Sequence, residues 1–490
     1  MSPFRALRAT SLAALVAASL SLTAACGTQV ADDRILAAES GVAGGAGSAG
    51  VAAPVAGDAL VATPTGAAPA TVSTSTTVEP GGVPAAAPGA PVVAAAGQPK
   101  KAAAGAPAQV AAIATCTQSL APLVIGQTLA IAGLIGAVDI NLRTGLAIWA
   151  KEVNARGGVQ CHPVQIYSQD NQSDPARTQS NLDDLARNKK AVAIVGSGII
   201  LTSAAAASWA NQNKIPLVGG DLAGPEWFKS PYMFPQGGTF EAQLAGALSG
   251  AAGAVRAAGG QPRIGLIYCV EAAPCATAAS NFAAFAKRAN AQAGLVKTTS
   301  LTQTDYTAEC QAAKDDGVNA LMVGLDGSGL QRVARSCAAI GYKPVLASLA
   351  VALNPQAVGD PQIRADGLYV GASNLPFTQA DRPGGAAFLA AMKAFAPGVT
   401  PDGNGLSGYA SGKLLEAALG KVAAEARSGN VTTELILKGL HQLKGETLDG
   451  LATPISFPEG APAVPNNCYF ILALGPNGYG APNGSKPTCF

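Results

Sequence analysis

The side chains with the widest chemistry are few and unevenly placed. Only two histidines occur in 490 residues, His162 and His441, so imidazole catalysis or a His-rich metal site has little material. Cysteines are more informative. Cys116, Cys161, Cys269, Cys275, Cys310, Cys337, Cys468 and Cys489 form an even set, and Cys26 stands apart near the start. No Cys-x-x-Cys occurs, which argues against zinc. In an exported chain such a set points to disulfides, the alternative being buried free thiols. Sequential pairing would link neighbouring elements. Asp170, Gln172 and Asp174 imitate the start of a calcium loop, but Pro175 and Asn181 stand where Gly and Glu are needed. A Gly-x-Gly-x-x-Gly match at Gly45 to Gly50 has no strand before it and no helix after it, so it carries no dinucleotide site. No Gly-x-Ser-x-Gly elbow is present. The chain is expected to be no enzyme and to hold no cofactor and no metal.

Charge narrows the partners. Lys and Arg number 32 against 30 Asp and Glu, a net +2, with no footprint for nucleic acid. Arg5 and Arg8 precede a short apolar run, Ala9 to Leu22, which reads as an export signal. Residues 22–26, LTAAC, resemble a bacterial lipoprotein cleavage box, with Thr23 where that pattern usually has Leu. The resemblance implies a signal over 1–26, lipidation of Cys26 and a lipid anchor at the membrane. The alternative is an ordinary secretory signal cleaved after Ala25. Residues 27–112 are dominated by Ala, Gly, Pro, Val and Thr. So little bulky apolar surface cannot offset the entropy of ordering, so a disordered tether is expected there.

From residue 117 the texture changes to apolar runs alternating with helical periodicity. Strands are expected at 123–132, 164–170, 191–196 and 215–220, with helices at 138–156, 174–188 and 202–213 between them. That alternation predicts a parallel sheet covered on both faces. Gly157 and Gly158 end a helix where a left-handed residue is needed, and a short loop then returns the chain as a strand. The rhythm restarts after 240, with strands at 263–269, 294–301, 319–325 and 343–349. Helices are expected at 241–258, 276–293, 306–315 and 329–340. Further helices are expected at 383–395, 406–427 and 432–442, with tail strands at 454–457 and 468–474. Two such lobes in one chain imply a cleft between them.

The run AIWAKEVNARGGVQCHPVQIYSQDNQSDPARTQSNLDDLARNKKAVAIVGSG (147–198) resembles the branched-chain amino acid type of periplasmic substrate-binding protein. Asn154, Gly157, Gly158, Asp170, Asp174, Pro175 and Gly196 carry the likeness. IPLVGGDLAGPEW (215–227), YMFPQGG (232–238), RIGLIY (263–268), DYTAECQAAKDDGVNALMVG (305–324), GYASGKLLEAAL (408–419) and ISFPEG (455–460) extend it. The resemblance implies a type I binding-protein fold: two doubly wound α/β lobes joined by a three-crossover hinge and closing on a small-molecule ligand. The first lobe would be 117–240 with 371–455, the second 241–370 with 456–490, with crossovers near 238–242, 366–376 and 454–460. The implied partner is an ABC transporter permease, reached from the outer face of the membrane. A ligand-sensing or cell-surface interaction protein of the same fold is the alternative.

In amino-acid-binding members, the ligand carboxylate is held by hydroxyls and amides of the loops after the third and fourth strands. Here those loops carry Ser197, Ile200, Thr202 and Ser203, then Asp221 and Ala223. Ile200 and Ala223 fall where a serine and a threonine hydroxyl are usual. In the second lobe Asp326 replaces a tyrosine-bearing strand end, and Leu349 falls where an acidic residue would pair the ligand ammonium. An unpaired ammonium against Leu349 would be costly. The expected ligand is therefore not a plain aliphatic amino acid, but something less polar or differently charged. Asp221 and Asp326 could bind a polar ligand group or cap their loops. The resemblance sets Cys116 beside Cys161, places Cys269 and Cys275 at the cleft mouth, puts Cys310 and Cys337 on consecutive helices, and staples the tail through Cys468 and Cys489.

Overall fold

A computed structural model describes residue 116 and residues 118–132 and 135–490. The expected signal, Cys26, the expected tether and the Gly45–Gly50 motif lie outside the described residues. Residues 114–490 form one compact unit.

The first lobe is built on β1 (Leu123–Leu129), β2 (Val164–Asp170), β3 (Ile194–Ser197), β4 (Leu217–Gly220) and β5 (Met233–Phe234). They lie in the order β2-β1-β3-β4-β5, all parallel. Between them run α1 (Gly136–Ala155), α2 (Pro175–Arg187) and α3 (Ser203–Asn213). The turn from α1 into β2 has a local cause. Asn154 donates through Nδ2 to the Val164 carbonyl (2.9 Å) and accepts from the Val164 amide (2.7 Å). Gly157 and Gly158 adopt φ of 99° and 89°, a region that favours glycine. A Cβ on Gly158 would also stand 2.2 Å from the His162 carbonyl oxygen. At the start of α2, Asp174 accepts from the Arg177 amide (2.7 Å) with Pro175 beside it, a capped and pre-shaped first turn.

The second lobe follows with α4 (Phe240–Ala257), β6 (Arg263–Cys269), α5 (Ala273–Arg288), β7 (Gln292–Thr299), α6 (Thr307–Asp315), β8 (Ala320–Gly324), α7 (Gly327–Ala339) and β9 (Val345–Leu349). Short helices α8 (Pro355–Gly359) and α9 (Pro361–Asp366) lead to β10 (Leu368–Ala372). Later in the chain come β11 (Lys444–Glu446) and β12 (Ile455–Ser456), paired in a separate small sheet, then β13 (Cys468–Gly475) and β14 (Gly478–Gly480), so that the second-lobe sheet has the order β14-β13-β10-β9-β8-β6-β7. β13 runs antiparallel to β10, Leu368 facing Leu474. Because β10 pairs wholly within this sheet, the chain returns to the first lobe after Ala372, just beyond residue 371.

There it forms α10 (Pro383–Phe395), α11 (Gly403–Lys421), α12 (Ala423–Ser428) and α13 (Thr433–His441). The helix expected over 406–427 is thus two helices meeting at Val422. α11 lies against α1 with glycines at the contact. A Cβ on Gly145 would be 1.9 Å from the Gly405 carbonyl oxygen, and one on Gly408 2.0 Å from that of Leu142.

Three segments join the lobes and hold one another. Asn374 donates to the Gln236 carbonyl (2.9 Å), and Gln236 exchanges two bonds with the backbone of Gly220 (3.0 and 2.7 Å). The Thr239 amide donates to the Asn466 carbonyl (2.8 Å). All four expected cysteine pairs are present: Cys116–Cys161, Cys269–Cys275, Cys310–Cys337 and Cys468–Cys489. Among the described residues no helix is long and apolar enough to cross a membrane, and no cluster suits a metal ion.

Candidate functional site

The parallel strands of both lobes end at one cavity of about 800 Å³, counting the part open to solvent. The first lobe contributes the start of α1 and the loops after β3 and β4. The second contributes the ends of β6, β8 and β9 and the first residue of α4, Phe240. This is the position where open α/β sheets expose loops and helix starts to ligands. The walls are apolar: Ile200, Leu266, Met322, Leu349 and Val351 are among them. Among the described residues no lysine, arginine or histidine lines the cavity; its ionisable side chains include Asp139, Asp221 and Asp326.

The expected site residues divide. Ile200, Asp221, Asp326 and Leu349 line the cavity. Ser197, Thr202, Ser203 and Ala223 are buried outside its lining. Ser203 donates to Glu226 (2.7 Å), and Ala223 packs in the core with Phe240 and Leu349. The hydroxyls of Ser197 and Thr202 are buried with no partner among the described residues. Asp326 caps α7 by accepting from the amides of Ser328 and Gly329 (both 3.1 Å).

Asp221 is held from several sides. Its Oδ2 accepts from the Ile199 amide (2.5 Å) and its Oδ1 from the Ala223 amide (3.0 Å) and the Trp227 indole (3.3 Å). Trp227 is fully buried and supports this carboxyl. Burial still pushes Asp221 above the usual carboxylate range, against the pull of those donors.

Asp139 escaped the sequence reading. It sits in the first turn of α1, where Oδ2 accepts from the Ala130 amide (3.0 Å) and only 3% of the residue is exposed. Burial, and after it the charge of Asp221, pushes its pKa up to about 8. Its carboxyl presses on Gly198, where a Cβ would stand 2.1 Å from Oδ2. An acidic residue beginning an otherwise apolar helix, GAVDINL, was the available signal.

The pair Cys269–Cys275 forms part of the second-lobe wall, with Val270 of the intervening loop 64% exposed. Tyr409, at the α1–α11 contact, lies outside the cavity lining. It donates to Glu152 (2.5 Å), and burial raises its pKa.

Two lobes, three joining segments and an interlobe cavity at the strand ends define a solute-binding architecture. Residues 122–478 match the periplasmic binding protein family model, and the chain belongs to that family. A fatty acid ABC transporter substrate-binding protein from Thermomonospora curvata is 18% identical, covering 74% of this chain and 91% of its own, with TM-score 0.59. A solute-binding protein from R. palustris in complex with benzoate is 15% identical, covering 75% and 97%, TM-score 0.59. A branched-chain amino acid transporter substrate-binding protein from Streptococcus pneumoniae, in complex with isoleucine, is 17% identical, covering 74% and 98%, TM-score 0.60. A comparison with curated proteins found no match.

Proposed function

We infer that this protein is an extracytoplasmic solute-binding protein that captures one small, largely apolar molecule between its lobes and delivers it to an ABC transporter. The observation that carries the reading is the apolar cavity at the facing strand ends of two hinged lobes. Ile200 and Leu349 line it, and neither can replace the hydroxyl and the acidic group expected for an α-amino acid. A plain aliphatic amino acid is therefore not the ligand. The tether over 27–112 and a lipid on Cys26 would hold the lobes near the permease at the outer face of the membrane.

The test is thermal unfolding with a panel of branched-chain and aromatic amino acids, amides, short carboxylates, aromatic acids and amines. A ligand at one hundred times its Kd adds about 2.7 kcal/mol and raises the midpoint visibly. A rise with non-amino-acid members supports the reading. A rise with Leu, Ile or Val contradicts its ligand class, and no rise with any member contradicts solute binding itself.

A further inference from the structure

The loops after β3 and β4 are those whose amides would receive a ligand carboxylate. In this chain two of those amides, of Ile199 and Ala223, already donate to the carboxyl of Asp221. The donors that would neutralise an incoming anion are thus occupied from within. The next carboxyl toward the cavity is Asp139, and its Oδ1 accepts no hydrogen bond from any described residue. Neither carboxyl forms an ion pair with a described Lys, Arg or His, and no described cationic side chain lines the cavity. An anion entering here finds the Ile199 and Ala223 amides taken and no cationic side chain among the described residues, which is unfavourable in an apolar site. A cation meets the carboxyl of Asp139 on the cavity wall, which can become its ionic partner by giving up a proton.

We propose that Asp221 occupies, from within the chain, the place of a ligand carboxylate, and that the cleft binds an apolar amine whose ammonium group rests on Asp139. The proposal builds on the solute-binding reading and names its ligand class. It inverts the usual polarity of the site: the acidic partner lies in the first lobe, and the second lobe supplies the apolar bed through Leu266, Met322 and Leu349. It also separates this chain from the relatives whose ligands are a fatty acid, benzoate and isoleucine, all carboxylates. Because burial and the nearby Asp221 raise the Asp139 pKa to about 8, a bound amine displaces a proton near neutral pH. Affinity should rise about tenfold from pH 6 to pH 7.

The experiment is titration calorimetry of the full chain with matched series sharing one apolar body: hexylamine, hexanamide and hexanoate, and benzylamine, benzamide and benzoate. Runs in two buffers of different ionisation enthalpy count the protons released. The expected result is binding of an amine, release of about one proton at pH 7, and at least tenfold weaker binding by Asp139→Asn. Tighter binding of a carboxylate or amide than of its amine overturns the proposal and leaves the solute-binding reading standing. Binding by none of the six overturns both. If Asp139→Asn does not fold, the amine-to-carboxylate ratio and the proton count of the unaltered protein decide the matter.

Discussion

At the scale of residues, Asp139 makes stability depend on pH. Its pKa is raised to about 8 in the folded chain and returns to about 4 on unfolding. The folded state therefore holds a proton that the unfolded chain gives up. This contribution is complete below about pH 4 and is lost as pH rises toward 8. Without ligand, the unfolding free energy should fall between pH 5 and pH 8, by an amount on the order of a few kcal/mol. Asp139→Asn should flatten that slope, and an equal slope in the variant would show that other groups carry it. The same residue marks where sequence reading stopped. Asp221 and Asp326 were visible as acidic residues at strand ends, but Asp139 interrupts an apolar helix start and reads as helix. Only the tertiary approach of Gly198 and Asp221 makes it part of the cavity.

At the scale of elements, the contact between α1 and α11 depends on glycine. Gly408→Ala would place a methyl 2.0 Å from the Leu142 carbonyl oxygen, forcing the helices apart at a cost of about 1–3 kcal/mol. Gly420→Ala, on the same helix with open space around it, should instead stabilise by up to about 1 kcal/mol. Chemical denaturation of the two variants checks the opposite signs. Cys310 and Cys337 join α6 to α7 across 27 residues, and replacing both by Ser should cost about 2–4 kcal/mol. Chemical denaturation of that double variant beside the unaltered protein, both without reductant, measures it. The elements themselves were largely legible. Strand–helix alternation, the Asn154 and Asp174 devices and the even cysteine set are local signals with local causes. The break at Val422 was not, because helical periodicity continues through it. The fates of Thr202, Ser203 and Ala223 were also hidden, since burial against Glu226 or Phe240 depends on distant chain.

At the scale of the whole molecule, the two sheets are joined through segments that bond to one another at Gln236, Asn374 and Asn466, and Asn404 of α11 also donates across the cleft to the carbonyls of Val351 (3.4 Å) and Leu353 (3.3 Å). Such a joint lets the lobes move as bodies about a small set of residues. Saturating ligand should lower the radius of gyration measured by X-ray scattering, whereas an unchanged curve would mean that binding does not close the cleft. The two-lobe plan was legible from the restart of the rhythm after residue 240; the ligand was not, because it depends on which side chains meet across the gap. Leu349 is one of those that meet there, ending β9 at 7% exposure on the cavity wall. The most direct measurement is titration calorimetry of the best ligand of the panel against the unaltered protein and Leu349→Arg, with circular dichroism confirming that the variant folds. The account predicts one molecule bound per chain and, in the variant, affinity lower by about a hundredfold or more. Equal affinity in a folded variant would place the ligand outside the interlobe cavity and contradict the account.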